Sequence, residues 1–166
     1  MAPKLHLVRH AQGLHNLCSE NTIFRDPLLT PKGKKQCAEL QKNFPYHQNI
    51  ELIVSSPIRR TLYTSLLGFN DDIETKGLKI VALPELQETS DLPCDTGSSP
   101  VELTNEFAEY PIDFTLVQKG WNVKQGKWSP DWESITHRAR EAREWLSQRP
   151  EKEIVVVTHG AYRFLG

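Results

Sequence analysis

The sequence predicts an α/β fold, layered α/β/α around a largely parallel or mixed central sheet. Three observations carry that reading. Short runs rich in Val, Ile and Leu are spread along the chain, helical periodicities fall between them, and the last run is almost wholly apolar, as a strand covered on both faces must be. Residues 4–9 (KLHLVR) alternate well enough for a strand and lead straight into His10. Thr30-Pro31 reads as an N-cap followed by proline at the first helical position; Cys37, Leu40 and Phe44 then recur at helical spacing, and Pro45 ends the element. A second strand is read at 51–55 (ELIVS). Pro57 then opens a helix whose stripe is Ile58, Leu62 and Leu66, closing near Gly68, and a third strand follows at 78–82 (LKIVA). Residues 89–130, rich in Pro and Gly, break this rhythm, with one short helix around 101–109. A stretch of that length without regular elements is either disordered or a functional cover over a site. Phe107, Trp121 and Trp128 favour order, and the two tryptophans read equally as core or as lid. Trp132, Ile135, Ala139, Ala142 and Leu146 then mark the strongest helix, with Trp145 beside the stripe as a packing residue, and 153–158 (EIVVVT) forms the last strand.

Composition narrows the function classes. A chain of 166 residues is expected to be one domain, 1–166. Lys and Arg total 20 against 21 Asp and Glu, which argues against a general nucleic-acid binder. No apolar run approaches the roughly 18 residues of a membrane helix. Arg9 and His10 interrupt any signal-peptide core near the start. Cys18, Cys37 and Cys94 are odd in number and widely spaced, so neither a zinc site nor a disulfide framework is expected. A reducing compartment follows, the cytoplasm or also the nucleus. No pattern specifies an oligomeric state.

In open α/β sheets, ligands bind beyond the carboxyl ends of the strands. Here the first strand ends in Arg9-His10, with Gly13 and Asn16 in the turn that follows. The second ends in Ser55-Ser56-Pro57 ahead of Arg59-Arg60, and the last in Thr158-His159-Gly160. If those strands are parallel neighbours, two histidines and two or three arginines meet at one edge, beside helix N-termini after Pro57 and near Gly160. Such a site suits a compact dianion, phosphate first. Taken singly, a strand-end histidine is more often structural, and Arg59 reads as part of a solvated face. The coincidence of three loaded strand ends favours function.

At this point the sequence resembles a known family. Leu7-Val8-Arg9-His10-Ala11-Gln12-Gly13-Leu14-His15-Asn16 is similar to the signature of the histidine phosphatase superfamily, in its phosphoglycerate mutase-like branch. Leu29-Thr30-Pro31-Lys32-Gly33 with Gln36, Ser55-Ser56-Pro57-Ile58-Arg59-Arg60-Thr61, Leu86-Gln87-Glu88 and Val157-Thr158-His159-Gly160 resemble its later blocks in order, and Pro93-Cys94-Asp95 resembles a feature of fungal and plant members. The similarity runs from residue 5 to residue 165. It implies a phosphoglycerate mutase-like fold and a phosphomonoester hydrolase acting on a small-molecule phosphoester. His10 would be the nucleophile, becoming a phosphohistidine. Arg9, Arg60 and His159 would bind the phosphoryl oxygens, with Asn16 donating to the same group and Gly160 beside it. Glu88 would protonate the leaving oxygen and then activate water, with Glu85 the competing carboxylate. No metal and no cofactor are expected.

The chain departs from the family pattern at Ala11, where Gly is frequent, at Gly13, where Ser or Thr is frequent, and at Tyr63, which replaces a common Gln. Ala161 starts a helix after His159 and the sequence stops at Gly166, which reads as a chain shortened at its C-terminus. His15 reads first as structural and second as a pocket residue, while His47 and His137 read as surface residues. Two other functions stay open: a phosphoglycerate-type mutase using the same residues, and a non-hydrolytic descendant that keeps the pocket for binding or other chemistry. Loss of a core residue would mark the latter, and Arg9, His10, Arg60, Glu88 and His159 are all present.

Overall fold

The computed structural model describes residues 2–161. In chain order its elements begin with β1 (Lys4–Arg9), α1 (Pro31–Asn43), β2 (Leu52–Ser55), α2 (Arg59–Gly68) and α3 (Asn70–Lys76). They continue with β3 (Ile80–Ala82), α4 (Pro100–Glu106), β4 (Ile112–Asp113), α5 (Trp132–Ser147) and β5 (Glu153–Thr158). The five strands form one sheet in the order β1-β5-β2-β3-β4, and every pairing is parallel.

Helix starts follow local chemistry. Thr30 caps α1 by accepting the Gly33 N–H at 3.0 Å, with Pro31 where no N–H is needed. Ser99 and Glu102 form a reciprocal capping box on α4, and Asp131 Oδ1 accepts the Ser134 N–H at 2.9 Å to start α5. The apolar run of β5 is explained by its two faces. Ile154 and Val156 pack with Leu52, Val54 and the Ala139, Ala142 and Leu146 stripe of α5. Val155 and Val157 face the opposite core, built from Ile53, Ile58, Leu62, Leu66, Ile80, Leu103 and Phe107. Helices therefore cover both faces. Each fully buried branched side chain contributes roughly 1.5–3 kcal/mol.

Several boundaries and assignments shift. The second strand starts at Leu52 and the third only at Ile80. Pro57 does not open α2; Ile58 is its N-cap and the helix begins at Arg59. Trp132 opens α5 but is 72% exposed, because the buried stripe starts deeper in the helix, at Arg138. Helix α3 and strand β4 leave no pattern in the sequence, since α3 contributes only Ile73 to the core and β4 is two residues long. Segment 89–130 is more regular than expected, and Trp121, 1% exposed, is core within it; Trp128 packs against the same cluster and Trp145 against the other. Of the helix expected from Ala161 onward, residues 162–166 lie outside the described residues. Among the described residues, no helix is long and apolar enough to cross a membrane.

Candidate active site

Parallel register brings the loaded strand ends level. Arg9 lies opposite Thr158, and Ser55 opposite Val157, so β1, β5 and β2 finish side by side. The ladder runs one step further, with His10 N–H donating to Thr158 O at 2.9 Å and Ser56 N–H to Val157 O at 3.0 Å. His10, His159 and Ser56 thus leave the sheet at one edge.

His10 is buried, and its Nδ1 bonds Ala11 O at 2.7 Å. A carbonyl only accepts, so Nδ1 carries the proton and Nε2 keeps its lone pair. Arg60 Nε donates to that Nε2 at 3.3 Å. Burial first, and the Arg60 charge second, push the His10 pKa down to about 3, which keeps the ring neutral at physiological pH. His159 lies with its ring centroid 5.2 Å from that of His10. Its Nδ1 accepts from Arg60 Nη2 at 3.2 Å, which places its proton on Nε2, toward Ser56 Oγ at 3.0 Å. Burial, then Arg60, holds its pKa well below the ordinary value.

Arg60 is fully buried and reaches both histidines. Its other donors meet Cys94 O at 2.6 Å and Asp95 Oδ1 at 2.9 Å. Arg9 is exposed and has no carboxylate partner among the described residues. Its guanidinium lies over Gly160, where a Cβ would sit 3.4 Å from Nε. Glu88 Oε2 is 3.6 Å from His159 Nδ1, and with His159 neutral this is no ion pair. Burial first, and the neighbouring Asp95 charge second, raise the Glu88 carboxyl above the usual range. Lys124 Nζ donates to the Glu88 main-chain oxygen at 3.1 Å, and its own pKa is lowered to about 8, chiefly by burial. A cleft of about 630 Å³ opens beside the cluster, lined by Arg9, His10, Gln12 and Asn16 and running on to Cys37 and Leu40.

The loop after His10 is held by the start of α1. Thr30 N–H donates to Gln12 O at 3.0 Å, Gln36 Oε1 accepts the Gln12 N–H at 2.8 Å, and Thr64 Oγ1 accepts the Ala11 N–H at 3.0 Å. A Cβ on Gly33 would fall 2.2 Å from Gln12 O, so only glycine lets helix and loop approach so closely. The chain leading into Glu88 is fixed by its carbonyls: Thr158 Oγ1 donates to Leu86 O at 2.9 Å, and Arg138 Nη1 to Gln87 O at 3.2 Å.

The profile of the histidine phosphatase superfamily (branch 1) matches residues 5–163. The chain belongs to the histidine phosphatase superfamily. A probable phosphatase of Schizosaccharomyces pombe is 35% identical over 161 residues, covering 94% of this chain and 73% of the relative. A phosphoglycerate mutase-like protein of Arabidopsis thaliana is 28% identical over 197 residues, covering 95% and 71%. The crystal structure of a phosphoglycerate mutase from Bacillus anthracis superposes with a TM-score of 0.63 at 17% identity, covering 97% of this chain and 76% of that one, a likeness of fold.

As a histidine phosphatase fold, the molecule gathers His10, Arg60, Glu88 and His159 into one hydrogen-bonded or near-contact group, with Arg9 and Gly160 beside it. Asn16 borders the cleft, but its Nδ2 meets His15 Nε2 at 3.1 Å and its Oδ1 accepts the Gly13 N–H at 3.0 Å. Glu85 is drawn away by Lys127 at 2.7 Å. Arg59 is not on a solvated face: it pairs with Glu106 at 2.9 Å, and its N–H donates to Asp26 at 2.8 Å. His47 is not a free surface residue either, for its Nδ1 lies 2.6 Å from the buried Asp72, whereas the His137 side chain is 62% exposed. His15 belongs to the cluster, its ring 5.6 Å from that of His10. That explains Gly13, since a Cβ there would strike the His15 ring at 2.8 Å. Tyr63 serves the scaffold, donating to Glu106 at 2.7 Å. Asp95, Ser56 and Lys124 were given no role in the sequence. Asp95 and Ser56 carried a signal, as parts of Pro93-Cys94-Asp95 and of the strand end Ser55-Ser56-Pro57, and Lys124 carried none.

Proposed function

We propose that this chain is a phosphomonoester hydrolase that acts on small-molecule phosphoesters through a phosphohistidine at His10. One observation carries the reading: a buried, neutral His10 whose unprotonated Nε2 is held against Arg60, within a group that includes His159 and a carboxyl raised toward its acid form. The Nε2 lone pair attacks phosphorus and the P–O bond to the leaving group breaks. Glu88 gives its proton to the departing oxygen, releasing the alcohol. Arg9, Arg60 and His159 bind the phosphoryl oxygens and stabilise the charge that develops on them, and Asn16 adds a hydrogen bond once its amide turns from His15. In the second half, Glu88 as carboxylate takes a proton from water. The water oxygen attacks phosphorus, the P–N bond breaks with its electron pair returning to Nε2, and phosphate leaves. The free thiols Cys18, Cys37 and Cys94 support a reducing compartment, the cytoplasm or also the nucleus.

Rapid quench with a labelled phosphoester tests the proposal. An acid-labile phosphoramidate on His10 is expected, with turnover of His10→Ala reduced on the order of a thousandfold or more. Wild-type turnover in His10→Ala would overturn the mechanism.

A further inference from the structure

Arg60 has its guanidinium plane fixed from one side and used on the other. On the fixing side, Nη1 donates to Cys94 O at 2.6 Å and Nη2 to Asp95 Oδ1 at 2.9 Å, both in the turn Pro93–Asp95. On the using side, Nε meets His10 Nε2 and Nη2 meets His159 Nδ1. A guanidinium is rigid and planar, so two bonds to the turn dictate where its remaining donors point. Asp95 is itself secured, because Ser90 Oγ donates to its Oδ2 at 2.6 Å. The pair is desolvated, with side-chain exposures of 0% for Arg60 and 12% for Asp95. Removing one partner would leave the other charge buried and uncompensated.

We propose that Asp95 is a positioning residue for phosphoryl transfer, which sets the plane of the Arg60 guanidinium against His10 and His159, the latter 3.6 Å from Glu88. The inference rests on the hydrolase reading above and gives the Pro93-Cys94-Asp95 motif a physical task. Its second consequence concerns the proton on Glu88. Burial raises that carboxyl, Asp95 raises it further, and Arg60 and the Thr89 N–H lower it. The groups facing Glu88 come from every neighbouring element. They are Asp95 from the 93–95 turn, Arg60 from α2 and His159 from the end of β5. Lys124 joins them from the segment before α5, Thr89 lies alongside, and Arg138 of α5 sits on the adjacent Gln87 carbonyl. Of these, Lys124 titrates near 8 and its charge acts opposite to that of Asp95.

Two variants separate the tasks. Asp95→Asn keeps an acceptor for Arg60 and loses the charge. Asp95→Ala loses both. For Asp95→Asn, the alkaline limb of kcat/KM for an alkyl phosphate is expected about one pH unit lower, because Glu88 surrenders its proton sooner. The limb for p-nitrophenyl phosphate stays in place, since its leaving group needs no acid. Lys124→Met moves the alkyl limb the other way. For Asp95→Ala, vanadate and inorganic phosphate bind about tenfold more weakly, against less than about threefold for Asp95→Asn. Calorimetric binding and a carbon-13 NMR titration of the Glu88 carboxyl need no turnover. If the wild type hydrolyses no phosphoester, the hydrolase reading falls while these two measurements still decide on Asp95. Unchanged anion affinity in Asp95→Ala, or an unmoved Glu88 titration in Asp95→Asn, overturns the proposal. So does a loss of rate that is uniform across pH.

Discussion

Two carboxylates compete for the role of acid, and their neighbours separate them. Glu85 is neutralised by Lys127, which also holds Glu141, whereas Glu88 faces His159 and is raised by burial and Asp95. An acid matters most when the leaving oxygen is strongly basic. Glu88→Gln is therefore expected to slow phosphoenzyme formation on the order of a hundredfold or more for an alkyl phosphate. For the nitrophenyl ester the slowing should be only slight, and Glu85→Gln should show no such dependence; burst kinetics isolates the step. A leaving-group dependence in Glu85→Gln instead would move the assignment there. Of these residues, His10, Arg60, Glu88 and His159 could be read in the sequence because each follows an apolar run or sits in a recognisable block. Asp95 could not be read as the partner of Arg60, from which it is separated by 35 positions. His15 reads in the sequence as a pocket residue only second to a structural one, since its place depends on the space left by Gly13.

At the scale of elements, the site depends on how closely α1 approaches the loop after His10. Gly33→Ala places a Cβ against main-chain Gln12 O, which cannot swing aside as a side chain would. Destabilisation of about 1–3 kcal/mol is expected in urea unfolding, with a fall in turnover because the loop carrying His10 is displaced. Lys32→Ala, at an exposed position of the same helix, serves as the control, with stability within about 0.5 kcal/mol of wild type. Full activity and stability in Gly33→Ala would show that the contact is not needed. The long helices and the strands β1 and β5 were legible because periodicity over many residues is a strong signal. Helix α3 was not. Its few turns stand on local chemistry, Asp71 and Asp72 in the first turn and the left-handed Gly77 at the end, and not on an apolar stripe.

For the whole molecule, burying His10 and His159 together, with His15 half-buried beside them, ties stability to pH. His10 and His15 are depressed from 6.5 to about 3 and about 4, and His159 is lowered as well, burial being the largest cause in each. Below pH 6.5 the unfolded chain takes up protons that these native rings refuse. Stability is thus whole above the unfolded value and is lost as pH falls toward the folded ones. Each of the two buried rings, His10 and His159, that stays neutral contributes a slope of about 1.4 kcal/mol per pH unit, and half-exposed His15 contributes less because solvent screens it. Urea midpoints between pH 7 and pH 4.5 should fall steeply, and His10→Gln should flatten the curve. An equal slope in that variant would assign the acid sensitivity elsewhere.

The register of β1 against β5, from Lys4 beside Glu153 to Arg9 beside Thr158, also has a kinetic meaning. Joining those strands closes a loop that runs from Lys4 to Glu153, and such long-range contacts form late because their entropic cost precedes their reward. His10 and His159 meet only through that closure. A nascent chain still lacking β5 carries His10, Arg9 and Arg60 and yet lacks His159, so the proposed phosphoryl pocket is incomplete. In refolding, vanadate binding should therefore appear in the slowest phase, after helical signal has recovered. Binding that returns together with the helices would mean that β1 and β5 find each other early.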